Sequence, residues 1–257
     1  METLTAAVIK SIARLDSASR RREEGLFMAE GTKCVADTLG HFKLHMLVAT
    51  AAWRAEHPQW GALPQAVTAS QRDLGRMSHL STPPQVIAVY ELPAECPSIM
   101  LPCGEPLLAL DTIQDPGNLG TIIRTADWMG IHTIVASRAT ADCFAPKVVQ
   151  ATMGSIARVR VHYIDSLAAF LRDEAGRGRE VYGTLLEGED LYRAPGLVAD
   201  PILVIGNEGR GISEEVKATL TRRLTIPSGE PGTPHGESLN AAVAAALAMA
   251  ALTVGRR

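Results

Sequence analysis

Residues 106–130 read PLLALDTIQDPGNLGTIIRTADWMG, and this stretch decides the fold. "PLLALDTI" (106–113) is an apolar run of strand length, and "DPGN" (115–118) is a turn. From about residue 118 to 129, Ile122, Ile123, Ala126 and Met129 recur at helical spacing, which predicts an amphipathic helix with Asn118 as its N-cap. Arg124 falls off that apolar stripe, beside Thr121 and Thr125. By itself it reads as a surface charge.

Outward from this unit the pattern repeats. "IHTIVAS", "ARVRVHYI", "REVYGTLL", "PILVIG" and "RLTIP" read as strands. "APKVVQATMG", "SLAAFLRDEAG", "SEEVKATL" and "SLNAAVAAALAMAAL" read as helices between and after them. Strands alternating with helices predict a mostly parallel sheet covered on both faces. Upstream, residues 4–16 and 30–40 read as helical, and "HMLVAT", "QAVTA" and "QVIAVYEL" as strands, which suits a small α/β sandwich. "ELPAECPSIMLPCGEP" (91–106) carries four prolines and no periodicity, so it reads as a linker. The expected organisation is a first domain at 1–92, a linker at 93–106 and a second domain at 107–257.

Composition sets outer limits. The chain has 257 residues, 46% hydrophobic and 21% charged, with a formal net charge of −3. Lys+Arg balance Asp+Glu at 10 each over residues 1–100, against 15 and 18 over the remainder. A nucleic-acid partner therefore has to be met by a local patch. No apolar run approaches the ~18 residues of a membrane span, and the N-terminus lacks a signal-peptide core. Cys34, Cys96, Cys103 and Cys143 form no C-x-x-C pair, so free thiols in a reducing cytoplasm are expected. His41 and His45 are four apart with no third ligand evident, so no metal is expected.

Open α/β sheets bind ligands at the carboxyl ends of their strands. "VIGNEGRGIS" (204–213) follows one strand, with Gly206, Gly209 and Gly211 for close backbone approach, Glu208 inside the turn and Ser213 placed to cap the next helix. Its glycine spacing is not the dinucleotide fingerprint G-x-G-x-x-G, and no P-loop occurs, which disfavours a nucleotide-dependent oxidoreductase. "IPSGEPGTPHGESLNAAVAAALAMA" follows the last strand, with Ser238 as the natural cap of a closing alanine-rich helix.

Each stretch has a plain structural reading. Together and in this order, "NLGTIIRTADWMG", "VIGNEGRGIS" and "IPS…ESLNAAVAAAL" resemble the three motifs of the SpoU (TrmH-like) RNA ribose 2′-O-methyltransferases of the SPOUT superfamily. "EGLFMAEGTKCVADTL" and "STPPQVIAVYEL" are similar to that family's N-terminal substrate-binding domain. The resemblance implies a parallel sheet with a C-terminal trefoil knot, S-adenosylmethionine as cofactor, and a homodimer in which an arginine of one subunit lies near the other's cofactor. It implies transfer of a methyl group to a ribose 2′-hydroxyl, of ribosomal RNA in a two-domain chain. A transfer-RNA enzyme and a non-catalytic RNA-binding protein on the same scaffold are the alternatives.

By motif position, Arg124 becomes the group at the hydroxyl. Asn118 and Glu208 hold it and the motif loops, and Ser238 and Asn240 orient the ribose or the turn. Gly206, Ile226 and Leu239 line the cofactor pocket, with Thr184 and Leu186 as further candidates for the adenine edge. The loop between Ile226 and Ser238 is longer than the family pattern and contains His235, which is expected to be an exposed loop residue. Arg20, Arg21, Arg22 and Lys33, with Lys10 and Arg14 beside them, read equally as contacts to RNA phosphates and, since Glu23 and Glu24 follow at once, as a solvated charged turn. Trp53 and Trp60 read as core in preference to stacking platforms.

Overall fold

The computed structural model describes residues 4–94, 101, 104–198, 200–229 and 238–253. Two compact units emerge: Met1–Glu95 with Asp142–Ala157, and Cys96–Ala141 with Arg158–Arg257. Cys96, Cys103, His235 and most of the long loop before Ser238 lie outside the described residues.

The first unit runs α1 (Ala6–Ala13), α2 (Ala18–Glu24), β1 (Leu26–Glu30), α3 (Thr32–Thr38), β2 (Leu44–Ala49), α4 (Ala51–Glu56), α5 (Pro58–Gly61), β3 (Ala66–Thr68), α6 (Gln71–Met77) and β4 (Val86–Glu91). Its sheet has the order β1-β4-β2-β3. β4 pairs antiparallel with β1 and β2, and β2 pairs parallel with β3. α1 and α6 pack over one face through Ile9, Ile12, Leu15, Leu74 and Met77, against Met28, Met46, Val48, Ile87 and Val89 of the strands. β1 and α2 are absent from the sequence reading. The four-residue apolar run of β1 is followed at once by a helix, so neither period has room to declare itself.

Residues 142–157, placed by the sequence in the second domain, cluster with this first unit. They include helix α8 (Pro146–Thr152) and a 3-10 turn at Ser155–Ala157. Phe144 lies 4.6 Å from Phe27, in a ring cluster with Phe42 and Tyr90. Buried Cys34 donates to the Val149 carbonyl at 3.9 Å. Aromatic burial of this kind gives no periodic signal along the chain.

The second unit runs β5 (Leu107–Asp111), α7 (Pro116–Trp128), β6 (Thr133–Ser137), β7 (Arg160–Ile164), α9 (Leu167–Gly176), β8 (Val181–Asp190), β9 (Ile202–Gly206), α10 (Glu214–Lys217), β10 (Arg222–Thr225) and α11 (Ala241–Thr253). The strand order is β10-β8-β9-β5-β6-β7, and every neighbouring pair is parallel. β5 is buried along its full length and β9 up to Gly206, as expected for central strands covered on both faces. One consequence is directional: all six carboxyl ends lie along one edge, where a ligand site belongs.

Candidate active site

α7 begins at the carboxyl end of central β5. Its N-cap is Asp115, not Asn118: the Asp115 carboxylate accepts from the Asn118 amide at 2.7 Å, and Pro116 occupies the first helical position. That arrangement stabilises a helix start by about 1 kcal/mol. It also corrects the role of Asn118. Standing inside the first turn, Asn118 leaves its carboxamide for long-range use.

Both ends of that carboxamide are taken. Asn118 Nδ2 donates to Glu208 Oε1 at 2.9 Å, across 90 residues of sequence. Asn118 Oδ1 accepts from Asn240 Nδ2 at 2.9 Å, across 122 residues. A single hydrogen-bonded chain, Glu208–Asn118–Asn240, therefore joins the α7 start, the turn after β9 and the start of α11. Asn240 is anchored in turn: its Oδ1 accepts from the Ala242 and Val243 amides at 3.0 and 3.3 Å. Asn240, not Ser238, is thus the side chain that caps α11, and Ser238 is exposed two residues earlier. Ala241, Ala242, Ala245, Ala248 and Met249 are buried as α11 packs on α7 and β9. Small side chains permit that close approach.

Arg124 is exposed on α7, and among the described residues it makes no hydrogen bond or ion pair. At about 100° per residue it lies roughly a third of a turn around the helix from Asn118. Trp128, one turn further on, is 86% exposed. The buried stripe is Leu119, Gly120, Ile122, Ile123 and Ala126. The helix therefore separates a packing face from a face that holds a cation and a large ring toward solvent.

The cofactor candidates gather at the adjacent ends of β8, β9 and β10. Thr184 is half-buried on β8 and donates to the Val204 carbonyl at 3.3 Å. Gly206 ends β9, and a Cβ there would clash with the backbone of Gly211 and Ile212, so only glycine closes this turn. Ile226 is half-buried just after β10. Leu186 and Leu239 are 76% and 48% exposed. Both are large apolar side chains that the fold leaves uncovered. The Arg222 guanidinium hydrogen-bonds Glu189, tying β10 to β8 and holding that carboxyl below its usual range.

Ser213 precedes α10 but caps nothing with its side chain; its amide donates to Asp111 Oδ2 at 2.7 Å instead. Asp111, Thr112, Ser137 and Asn207 are hydrogen-bonding residues of this edge that the sequence reading missed. Thr112 has φ +63°, a conformation costing a β-branched residue about 1–3 kcal/mol. The available signal was position: each stands at or just beyond the carboxyl end of β5, β6 or β9.

The basic residues of the first unit divide. Arg21 is buried; it donates to the Leu15 and Asp16 carbonyls at 2.7 and 2.8 Å, and to Asp142 Oδ2 through Nε and Nη2 at 3.1 and 2.6 Å. A guanidinium so committed cannot meet phosphate, which removes Arg21 from the expected RNA contacts. Arg22 is exposed, Arg20 pairs with Glu23 at 2.7 Å, and Lys33 pairs with Asp37 at 3.4 Å. Trp53 is buried, donates to Thr32 at 2.8 Å and stacks on His57 and Trp60. Among the described residues no group of three or more His, Cys, Asp or Glu is placed to hold a metal, and no helix is long and apolar enough to cross a membrane.

Comparisons with known proteins meet this geometry. The model of the SpoU rRNA methylase family matches residues 105–250, and that of the MRM3-like substrate binding domain matches residues 7–88. The chain is 31% identical over 248 residues to the 23S rRNA (guanosine(2553)-2′-O)-methyltransferase RlmP of Bacillus subtilis, covering 93% of each protein. A solved putative RNA methyltransferase of the TrmH family from Porphyromonas gingivalis superposes with TM-score 0.86 at 40% identity, covering 99% of this chain and 100% of the other. An AdoMet-bound rRNA methyltransferase from Sinorhizobium meliloti gives 0.84 at 28% identity, over 100% and 98%. The parallel second unit, with motifs converging at its carboxyl edge, is a SPOUT-type fold, and the chain belongs to the SpoU rRNA methylase family.

Proposed function

We propose that ribosomal RNA is the substrate of this S-adenosylmethionine-dependent RNA ribose 2′-O-methyltransferase, and that Arg124, Asn118, Glu208, Ser238 and Asn240 form its reaction centre. One observation carries the reading of the site. The Glu208–Asn118–Asn240 hydrogen-bond chain unites three segments that have no local reason to meet. The resemblance to RlmP over nearly the whole chain supports ribosomal RNA over transfer RNA. The intact polar set supports an enzyme over a passive RNA-binding protein.

When bound, S-adenosylmethionine supplies a methyl group on a positively charged sulfur. Gly206, Thr184, Ile226 and Leu239 would hold it at the strand ends. The ribose hydroxyl is a weak nucleophile until its proton leaves, and solvent water takes that proton. A guanidinium offers N–H donors and a positive charge, so the part of Arg124 is to stabilise the developing alkoxide and grip a neighbouring phosphate. Asn118 and Glu208 fix the α7 start and the turn after β9. Ser238 and Asn240 orient the ribose from the α11 start. By holding the ribose hydroxyl and the methyl donor together, these residues would supply much of the acceleration.

In this reading residues 1–92 meet RNA, 93–106 are a linker and 107–257 carry the chemistry, apart from residues 142–157, which cluster with the first unit. Arg20, Arg22 and Lys33 contact phosphate in the first, a positioning role that carries little sequence information. A trefoil knot suits the placement of α11, which follows edge strand β10 in sequence and packs on α7 and on the interior strand β9. A cytoplasmic homodimer completes the reading. Trp128, Leu239 and Val243 are exposed apolar residues of α7 and the α11 start, and a second copy would cover them. Arg124, turned away from Asn118 of its own chain, would then serve the partner's site.

The test is transfer of labelled methyl from S-adenosylmethionine to deproteinised ribosomal RNA. The expected product carries its label in alkali-resistant dinucleotides, because a 2′-O-methyl blocks backbone cleavage. Label confined to alkali-labile mononucleotides would place the methyl on a base and overturn the reading. Sedimentation at micromolar concentration is expected to give the dimer; a monomer would remove the shared-site reading.

A further inference from the structure

The end of β5 carries a second hydrogen-bonded set, centred on Thr112 and Asn207, to which the sequence reading gave no role. In an extended strand the amide and carbonyl of one residue point to the same side. At Thr112 they part. Its amide donates to Ser137 Oγ at the end of β6, at 2.9 Å. Its carbonyl accepts from Asn207 Nδ2 just beyond β9, at 2.8 Å. β6 and β9 flank β5 on opposite sides, and the left-handed φ of +63° at Thr112 is what aims the two groups apart. Beside it, buried Asp111 accepts from the Ser213 amide at 2.7 Å and from the Thr112 hydroxyl at 3.2 Å.

Asn207 uses the other end of its carboxamide on its own turn. Its Oδ1 accepts from the Gly209 and Arg210 amides, both at 3.0 Å. The Asn207 amide and carbonyl pair with the Gly211 carbonyl and amide, both at 2.9 Å. The turn is thus closed across its neck, filled from within, and pinned at its base to Thr112. Glu208, the residue enclosed, is the one whose carboxylate holds Asn118.

We propose that Asn207 is a positioning residue for methyl transfer: it fixes the Glu208 turn against Thr112, and through Glu208 sets Asn118 and Asn240. The proposal rests on the reading of Glu208 given above. Its chemistry is specific. A carboxamide supplies the acceptor for two turn amides and the donor for the Thr112 carbonyl at once. A carboxylate supplies the first and repels the second, and an apolar side chain supplies neither.

The experiment uses the full chain, S-adenosylmethionine and ribosomal RNA, with kcat, cofactor affinity by calorimetry and thermal melting read together. Asn207→Ala is expected to lower kcat by about tenfold to a hundredfold, the scale of an ångström-level misplacement. Glu208→Ala lowers kcat as well. The double variant is expected to be no slower than Glu208→Ala alone, because the path through Glu208 is already cut. Where Asn207→Ala lowers the folded fraction, Asn207→Asp carries the same comparison. Losses that multiply in the double variant overturn the proposal while the reading of Glu208 stands, as does wild-type kcat in the Asn207 variants. Wild-type kcat in Glu208→Ala would instead overturn the site on which the proposal rests.

Discussion

Two arginines, Arg21 and Arg124, occupy helices in different units, and their environments are opposite. Arg21 is 2% exposed and donates four hydrogen bonds, to the Leu15 and Asp16 carbonyls and twice to the Asp142 carboxylate. Arg124 is exposed and without a partner among the described residues. The first cation is consumed in holding the chain together. The second is held on a capped, well-packed helix and left free. In a protein of net charge −3 that acts on a polyanion, cations free of internal partners are the ones available to substrate.

The comparison can be broken at several points. Arg21→Met is expected to destabilise the protein by about 3 kcal/mol, because it strands the Asp142 carboxylate and two carbonyls; urea unfolding measures it. A change within a few tenths would mean that Arg21 is not structural. Arg22→Ala is expected to leave stability unchanged and to reduce the slope of log RNA affinity against log salt by about one. An unchanged slope would remove Arg22 from the interface. Arg20 and Lys33, each already paired with a neighbouring carboxylate, are expected to change that slope less.

The smallest effect concerns pH. Burial, with Asp37 adding to it, pushes the Cys34 thiol up to about 11. Because the folded state resists forming the thiolate, the contribution of Cys34 to stability is whole below the ordinary thiol range and is lost as pH rises toward 11. Native protein is expected to resist thiol alkylation at Cys34 near pH 8 and to lose stability between pH 9 and 11, and Cys34→Ala should flatten that decline. Rapid alkylation of Cys34 in the native state would contradict its burial.

Much of the second unit was legible because its physics is local. The apolar runs that end at residues 111, 137, 164 and 206 and the helical stripe of α7 are each readable over a short window, and their alternation fixes a parallel sheet. The candidate residues Asn118, Glu208 and Asn240 were legible as parts of motifs, but their hydrogen-bond couplings were not. Asn118 looked like a cap because caps are local; Asp115 takes that role and frees Asn118 for Glu208 and Asn240. Ser238 misled for the same reason, with Asn240 two residues later. Arg21 could not be told from Arg20 and Arg22 in a run of three, since only its place on α2 turns it toward Asp142. Thr112 signalled only its position just beyond a strand end; its left-handed φ goes against local preference and is imposed by the strand ends around it.

The most direct measurement of the central claim is paired: calorimetric affinity for S-adenosylmethionine and single-turnover methyl transfer to ribosomal RNA, in wild type and in Arg124→Ala. The expected result is unchanged affinity with transfer slowed by about a hundredfold or more, as for loss of one preorganised charge at the reacting oxygen. Transfer at the wild-type rate would contradict the assignment of Arg124 to the reaction centre.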